Sequence, residues 1–132
     1  MTTNNSIETI LRSALQFCYQ DAHLDINLAD KIAFLDSRRL TLRRKEYDLL
    51  LLLVENAGEV VAREVLLMRV WGYGSGIRTR TLDVHISRLR KQLGSYSGQY
   101  IETIFGIGYR FQPFRTSRFH SVAPVSEIAL TA

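Results

Sequence analysis

The chain is poor in the residues from which small proteins build covalent or metal staples. A single cysteine, Cys18, excludes an intramolecular disulfide, and no Cys/His cluster has the spacing of a structural zinc site. A lone thiol suits a reducing, cytoplasmic setting. Long apolar runs are also missing: the longest, Leu49 to Val54, falls far short of the roughly 20 residues that a membrane span needs. The N-terminus has no basic stretch followed by an apolar one, so neither export nor membrane contact is expected. Signatures of catalysis are lacking too. There is no Walker A run, no Gly-x-Ser-x-Gly and no His-Glu-x-x-His, and His23, His85 and His120 are scattered along the chain. The glycine-rich Gly72 to Gly76 follows a helical pattern rather than a strand, which argues against a phosphate-cradling loop. The expectation is a binding protein with no cofactor and no metal.

What is present is enough apolar material for one core, 46% of 132 residues, and an uneven charge. Residues 1–77 carry nine Lys/Arg against ten Asp/Glu, whereas residues 78–118 carry eight against two. Attraction to an anionic partner depends on where cations sit rather than on their sum, so the basic footprint belongs to the C-terminal part. The tail beyond it adds only Glu127.

Periodicity divides the chain into elements. From Ser6, a candidate N-cap, Ile7, Ile10, Leu11, Ala14, Leu15 and Cys18 repeat at helical spacing. That helix either packs on its own domain or serves dimerisation. Leu24 to Leu42 alternates in short runs (Leu24, Ile26 and Leu28; Ile32 and Phe34; Leu40 and Leu42), separated by turns at Ala29-Asp30 and Asp36-Ser37, which reads as a small antiparallel sheet. A helix follows over about Arg44 to Asn56, its Tyr47, Leu50, Leu51 and Val54 on one stripe and Gly58 placed to end it. A shorter one covers Arg63 to Trp71, broken by Gly72-Tyr73-Gly74-Ser75-Gly76. A further helix runs from Thr79, a candidate N-cap, to Leu93, with Gly94 as its stop. Ile101 to Phe111 then reads as a hairpin around Gly106-Ile107-Gly108, where glycines accept the positive φ of a tight turn. The expected divisions are an N-terminal amphipathic helix and linker over 1–22, one domain over 23–114, and a loosely ordered tail over 115–132. The fold class is α+β: a small N-terminal antiparallel sheet, a three-helix core and a C-terminal β-hairpin, the order of a winged helix-turn-helix.

The basic helix carries the functional signal. At about 100° per residue, Leu82, Ile86, Leu89 and Leu93 form one narrow stripe, and Arg80, Thr81, Val84, Arg88 and Lys91 fall roughly opposite. Long cations, a small hydroxyl and a small apolar group, with no carboxylate among them, suit the major groove. There Arg binds guanine bidentately, Thr bonds a base or phosphate, and an aliphatic group meets a thymine methyl. Arg90 and His85 lie on the flanks, in positions suited to phosphates, although His85 serves equally well as a half-buried packing residue. A cationic face alone is compatible with a solvated surface; the preceding helix pair and the following hairpin are what favour a nucleic-acid reader.

The runs RKEYDLL (Arg44 to Leu50), REVLLMRVWG (Arg63 to Gly72), RTLDVHISRLRKQLG (Arg80 to Gly94) and IETIFGIGYRF (Ile101 to Phe111) together resemble the OmpR/PhoB-type effector domain of bacterial response regulators, in order, over about Leu24 to Phe111. The resemblance implies a four-stranded N-terminal sheet, three helices and a hairpin, with the Arg80 to Leu93 helix in the major groove of double-stranded DNA. It places the hairpin near a minor groove, making Tyr109 and Arg110 candidate contacts. It also implies head-to-tail pairing on direct repeats, hence a homodimer on DNA, and an RNA polymerase contact through the loop holding Tyr73, Gly74, Ser75 and Gly76. Three departures from the pattern stand out: Arg43 replaces the Thr or Ser that opens a capping box with Glu46, Ala62 replaces a Ser before Arg63-Glu64, and Phe105 stands where some relatives carry an Arg. The receiver domain that such regulators carry upstream is too long for the residues before Leu24, so the chain is expected to be a fragment or a stand-alone effector. A winged helix that docks RNA polymerase or a regulatory protein is the alternative function. RNA is the weaker one, because an A-form major groove is too narrow for a helix.

Overall fold

A computed structural model describes residues 18–114 and separates them into two units, one ending at Arg39 and one spanning Leu40–Phe114. The amphipathic helix expected near the N-terminus and the expected C-terminal tail lie outside the described residues, except that Cys18 opens a strand.

The first unit is a four-stranded antiparallel meander, β1 (Cys18–Gln20), β2 (Leu24–Asn27), β3 (Ile32–Leu35) and β4 (Arg38–Arg39), in that spatial order. Alternation does its usual work: Leu24, Ile26, Ala33 and Leu35 are buried while Asp25 and Phe34 face outward. The β1–β2 corner is held by the buried carboxylate of Asp21, which accepts the N–H groups of His23 and Leu24, each at 2.9 Å, and the Tyr19 hydroxyl. Asp36 and Ser37 both adopt positive φ, 49° and 68°, the two-residue turn whose twist matches an antiparallel pair. The strand expected at Leu40 and Leu42 is instead Arg38–Arg39, because this tight turn brings Arg38 opposite Leu35 and the ladder ends after one more pair.

In the second unit, α1 (Arg44–Glu55) is followed by β5 (Val60–Ala62), α2 (Arg63–Trp71) and α3 (Thr81–Leu93). A 3₁₀ turn over Gly94–Tyr96 and a single helical turn, α4 (Ser97–Tyr100), lead into the hairpin strands β6 (Ile101–Ile104) and β7 (Gly108–Phe111). Leu49, Leu50, Leu53, Leu66, Leu82, Ile86, Leu89 and Leu93 are at most 1% exposed. Tyr100 stacks on Phe111 at 5.4 Å within the same core. Of the stripe expected on α1, Tyr47, Leu50 and Val54 are buried and Leu51 only half so, and the buried face is wider, taking in Leu49 and Leu53. The run of five leucines leaves periodicity little contrast to work with.

Caps explain the remaining boundaries. Glu46 accepts the Arg43 backbone N–H at 3.0 Å, half of a capping box. The Arg43 side chain, a donor only, cannot return the bond. Gly72 closes α2 in the left-handed region, at φ 76°. The start expected at Thr79 moves to Thr81, whose N–H donates to Thr79 Oγ1 at 3.1 Å.

β5 does not show in the sequence pattern. It pairs with β7 to make a three-stranded sheet of order β5-β7-β6. It also alters the reason for the two hairpin glycines. Gly106 has φ 78° and makes the turn. Gly108 is needed for proximity instead, since a Cβ there would lie 1.9 Å from the Val61 carbonyl oxygen.

Candidate nucleic-acid interface

Burial of one side of α3 decides what the other side presents. Leu82, Leu89 and Leu93 are fully buried and Ile86 nearly so, which leaves Asp83, Val84, Ser87, Arg88 and Lys91 exposed, with Arg80 exposed at the N-cap and Thr81 half-buried beside it. The structure thus brings Arg80, Thr81, Val84, Arg88 and Lys91 onto one surface. Among the described residues that surface is cationic and exposed over about three turns, a shape that fits a major groove.

The other expected DNA contacts take part in bonds within the domain. His85 is half-buried, its ring edge-on to Trp71 at 4.8 Å and its Nδ1 2.8 Å from the Thr81 carbonyl oxygen. A carbonyl only accepts, so Nδ1 carries the proton. Arg90 donates to the Ile101 carbonyl at 2.9 Å and to Thr103 Oγ1 at 2.8 Å, with its guanidinium 5.8 Å from the Tyr109 ring centre. Tyr109 is buried, and its hydroxyl donates to Asp83 Oδ1 at 2.9 Å. Arg110 is bound twice to Glu102, at 2.8 and 2.9 Å. In the loop between α2 and α3, Gly74, Ser75 and Gly76 are exposed, and Tyr73 is half-buried with its N–H on the Leu67 carbonyl.

Asp83 is the residue that sequence reasoning passed over. Its carboxylate accepts Arg63 Nη1 at 2.7 Å together with the Tyr109 hydroxyl, so one side chain joins α2, α3 and β7. The Arg63 hydrogen bond holds the Asp83 carboxyl below the usual carboxylate range against the opposing effect of burial, and the same bond raises Arg63. Burial, then the bond to Asp83, pushes the Tyr109 phenol up. The Arg110 bond lowers Glu102. Asp83 follows Leu82 directly in a helix read for its cations, and only its distant partners give it meaning.

Residues 37–111 match the family model for the C-terminal domain of transcriptional regulatory proteins. The chain belongs to this family, the OmpR/PhoB-type effector domains. It is 42% identical over 91 residues to the transcriptional regulatory protein VxrB of Vibrio cholerae, covering 69% of this chain and 36% of that one. Among solved structures, it resembles the response regulator DrrB of Thermotoga maritima, an OmpR/PhoB homologue, at 34% identity and a TM-score of 0.68, covering 79% of this chain and 52% of the other. It also resembles the Klebsiella pneumoniae RstA DNA-binding domain in complex with the RstA box, at 29% identity and a TM-score of 0.68, covering 74% and 98%. The chain spans less than half the length of the curated relatives it matches, 36% of VxrB for example. Among the described residues no helix is long and apolar enough to cross a membrane.

Proposed function

We propose that this domain binds double-stranded DNA sequence-specifically as the effector of a transcriptional regulator, with α3 in the major groove. The carrying observation is the opposition on α3 between a fully buried aliphatic stripe and an exposed face of Arg80, Thr81, Val84, Arg88 and Lys91. Arg80 and Arg88 supply base-edge donors, Val84 meets a thymine methyl, and Lys91 reaches phosphate. His85, Arg90, Tyr109 and Arg110, engaged within the domain, orient this surface. Arg90→Ala therefore weakens binding by loosening the wing, and leaves the base preference of α3 itself unchanged. The DNA-bound RstA domain supports this reading by its similarity.

Binding in tandem to direct repeats, and a polymerase contact through Tyr73, Gly74, Ser75 and Gly76, belong to the same proposal. The exposed Met68 of α2 and Ile77 of the loop, 53% and 52% accessible, add apolar contacts of the kind a protein partner uses. Selection of bound duplexes from a random pool tests the whole: the expected product is a direct repeat of about 10 to 11 base pairs centre to centre. With about five phosphate contacts, log K should fall against log salt with a slope near −4 to −5. An unselective pool and a flat salt response would leave the protein-docking function instead.

A further inference from the structure

The hairpin ends in an apolar tip. Phe105 is 91% exposed, more than any other large apolar side chain described, and Ile107, across Gly106 from it, is 53% exposed. Single exposed aliphatics are ordinary on protein surfaces, but here two of the three turn residues are large, apolar and turned to water. The hairpin has no electrostatic alternative to offer. From Ile101 to Phe111 it holds one cation and one anion, Arg110 and Glu102, and they are bonded to each other. Whatever this hairpin contributes to a partner, it contributes through apolar surface.

Its place in the domain indicates the partner. The Ile107 carbonyl accepts the Arg63 N–H at 2.9 Å, Arg63 donates to Asp83 at 2.7 Å, and Asp83 sits in the first turn of α3 beside exposed Arg80 and Val84. Two hydrogen bonds therefore carry the tip to the end of α3 that faces the groove. Arg90, bonded to Ile101 and Thr103, fixes the other end of the hairpin to the same helix. Hydrogen bonds thus tie both the tip and the strands of the hairpin to the helix that carries the cationic face.

We propose that Phe105 is an apolar DNA contact: its ring packs into the minor groove beside the sequence read by α3 and favours flanking steps that unstack easily. This rests on the DNA-binding function proposed above. Aromatic wedges enter minor grooves by partly unstacking a base step, and pyrimidine–purine steps resist that least. Such a contact releases no counterion, so it adds affinity without adding salt dependence.

The test compares wild type, Phe105→Ala and Phe105→Arg on a selected duplex whose flank holds either a TA step or a stiff A-tract, with 2-aminopurine at the flanking step. Phe105→Ala should lose about tenfold in affinity for the TA-flanked duplex, the effect of withdrawing one buried aromatic. The loss should be smaller on the A-tract, the salt slope should not change, and the 2-aminopurine emission seen with wild type should fall. Phe105→Arg should recover low-salt affinity with a slope steeper by about one. Melting temperatures should match, because the ring makes no core contact. Wild-type affinity in Phe105→Ala overturns the inference and leaves the DNA-binding function intact. So does a loss confined to duplexes with two repeats, which would assign the tip to a second copy of the chain. Wild type that shows no sequence-selective, salt-dependent binding overturns both.

Discussion

The solvent face of α3 and the hairpin beside it are built on opposite principles. The helix face is cationic and open, with the long side chains Arg88 and Lys91 exposed. The hairpin is charge-neutral, binds its one cation internally, and ends in Phe105 and Ile107. The helix gains from phosphate attraction, which salt weakens; the hairpin offers surface, which salt barely touches. One domain thus divides long-range attraction and short-range shape between two neighbouring elements, and the Asp83 and Arg90 bonds keep their mutual angle.

The comparison breaks most completely if the helix loses its buried side. Leu89→Ala, at a fully buried position, should destabilise the domain by about 2–5 kcal/mol, measured by chemical denaturation, and so remove both surfaces together. Gly108→Ala strikes the hairpin alone. A Cβ 1.9 Å from the Val61 oxygen forces β5 and β7 apart, for about 1–3 kcal/mol, and amide exchange should rise in β5 to β7 while α3 stays protected. Arg88→Ala leaves the fold alone; it should lose about 1–3 kcal/mol on a selected site, relax preference at one base pair, and leave the melting temperature unchanged. An equal loss on random duplex would refute its role in base reading.

The smallest effect probes the joint. Asp83→Asn should reduce stability by about 1 kcal/mol or less, since the Arg63–Asp83 pair is roughly a third to a half exposed and solvent screens it. The folded-state carboxyl is depressed, so its contribution is fully present above the unfolded carboxylate range and fades as pH falls through the lower folded value. Denaturation curves of wild type and variant should therefore differ at neutral pH and converge in strong acid.

Much of this arrangement was legible in the sequence, for an identifiable reason in each case. The α3 stripe of Leu82, Ile86, Leu89 and Leu93 was readable because buried and exposed positions alternate there in chemistry as well as in period. In α1 the same reasoning found Tyr47, Leu50 and Val54 but took Leu51 in place of Leu49 and Leu53, because five leucines in succession give every face the same chemistry. β5 escaped notice because three residues, Val60 to Ala62, are too few to show a period, and they become a strand only when β7 lies alongside. For the contact residues, pattern placed Arg80, Val84 and Arg88 on the surface. It had no means of telling that Arg90 and Arg110 would be taken up by Thr103 and Glu102.

By itself, the order of residues determined the three long helices, the order of helix pair and hairpin, and the side of α3 that carries its cations, because each follows from local propensity and a repeat a few residues long. Only the tertiary structure decided which charges remain available to a partner, why Gly108 has to be glycine, and that Asp83 ties three elements together. Those properties depend on groups from separate elements, such as Arg63, Asp83 and Tyr109 or Arg90 and Thr103, and no local pattern records the distance between them in space.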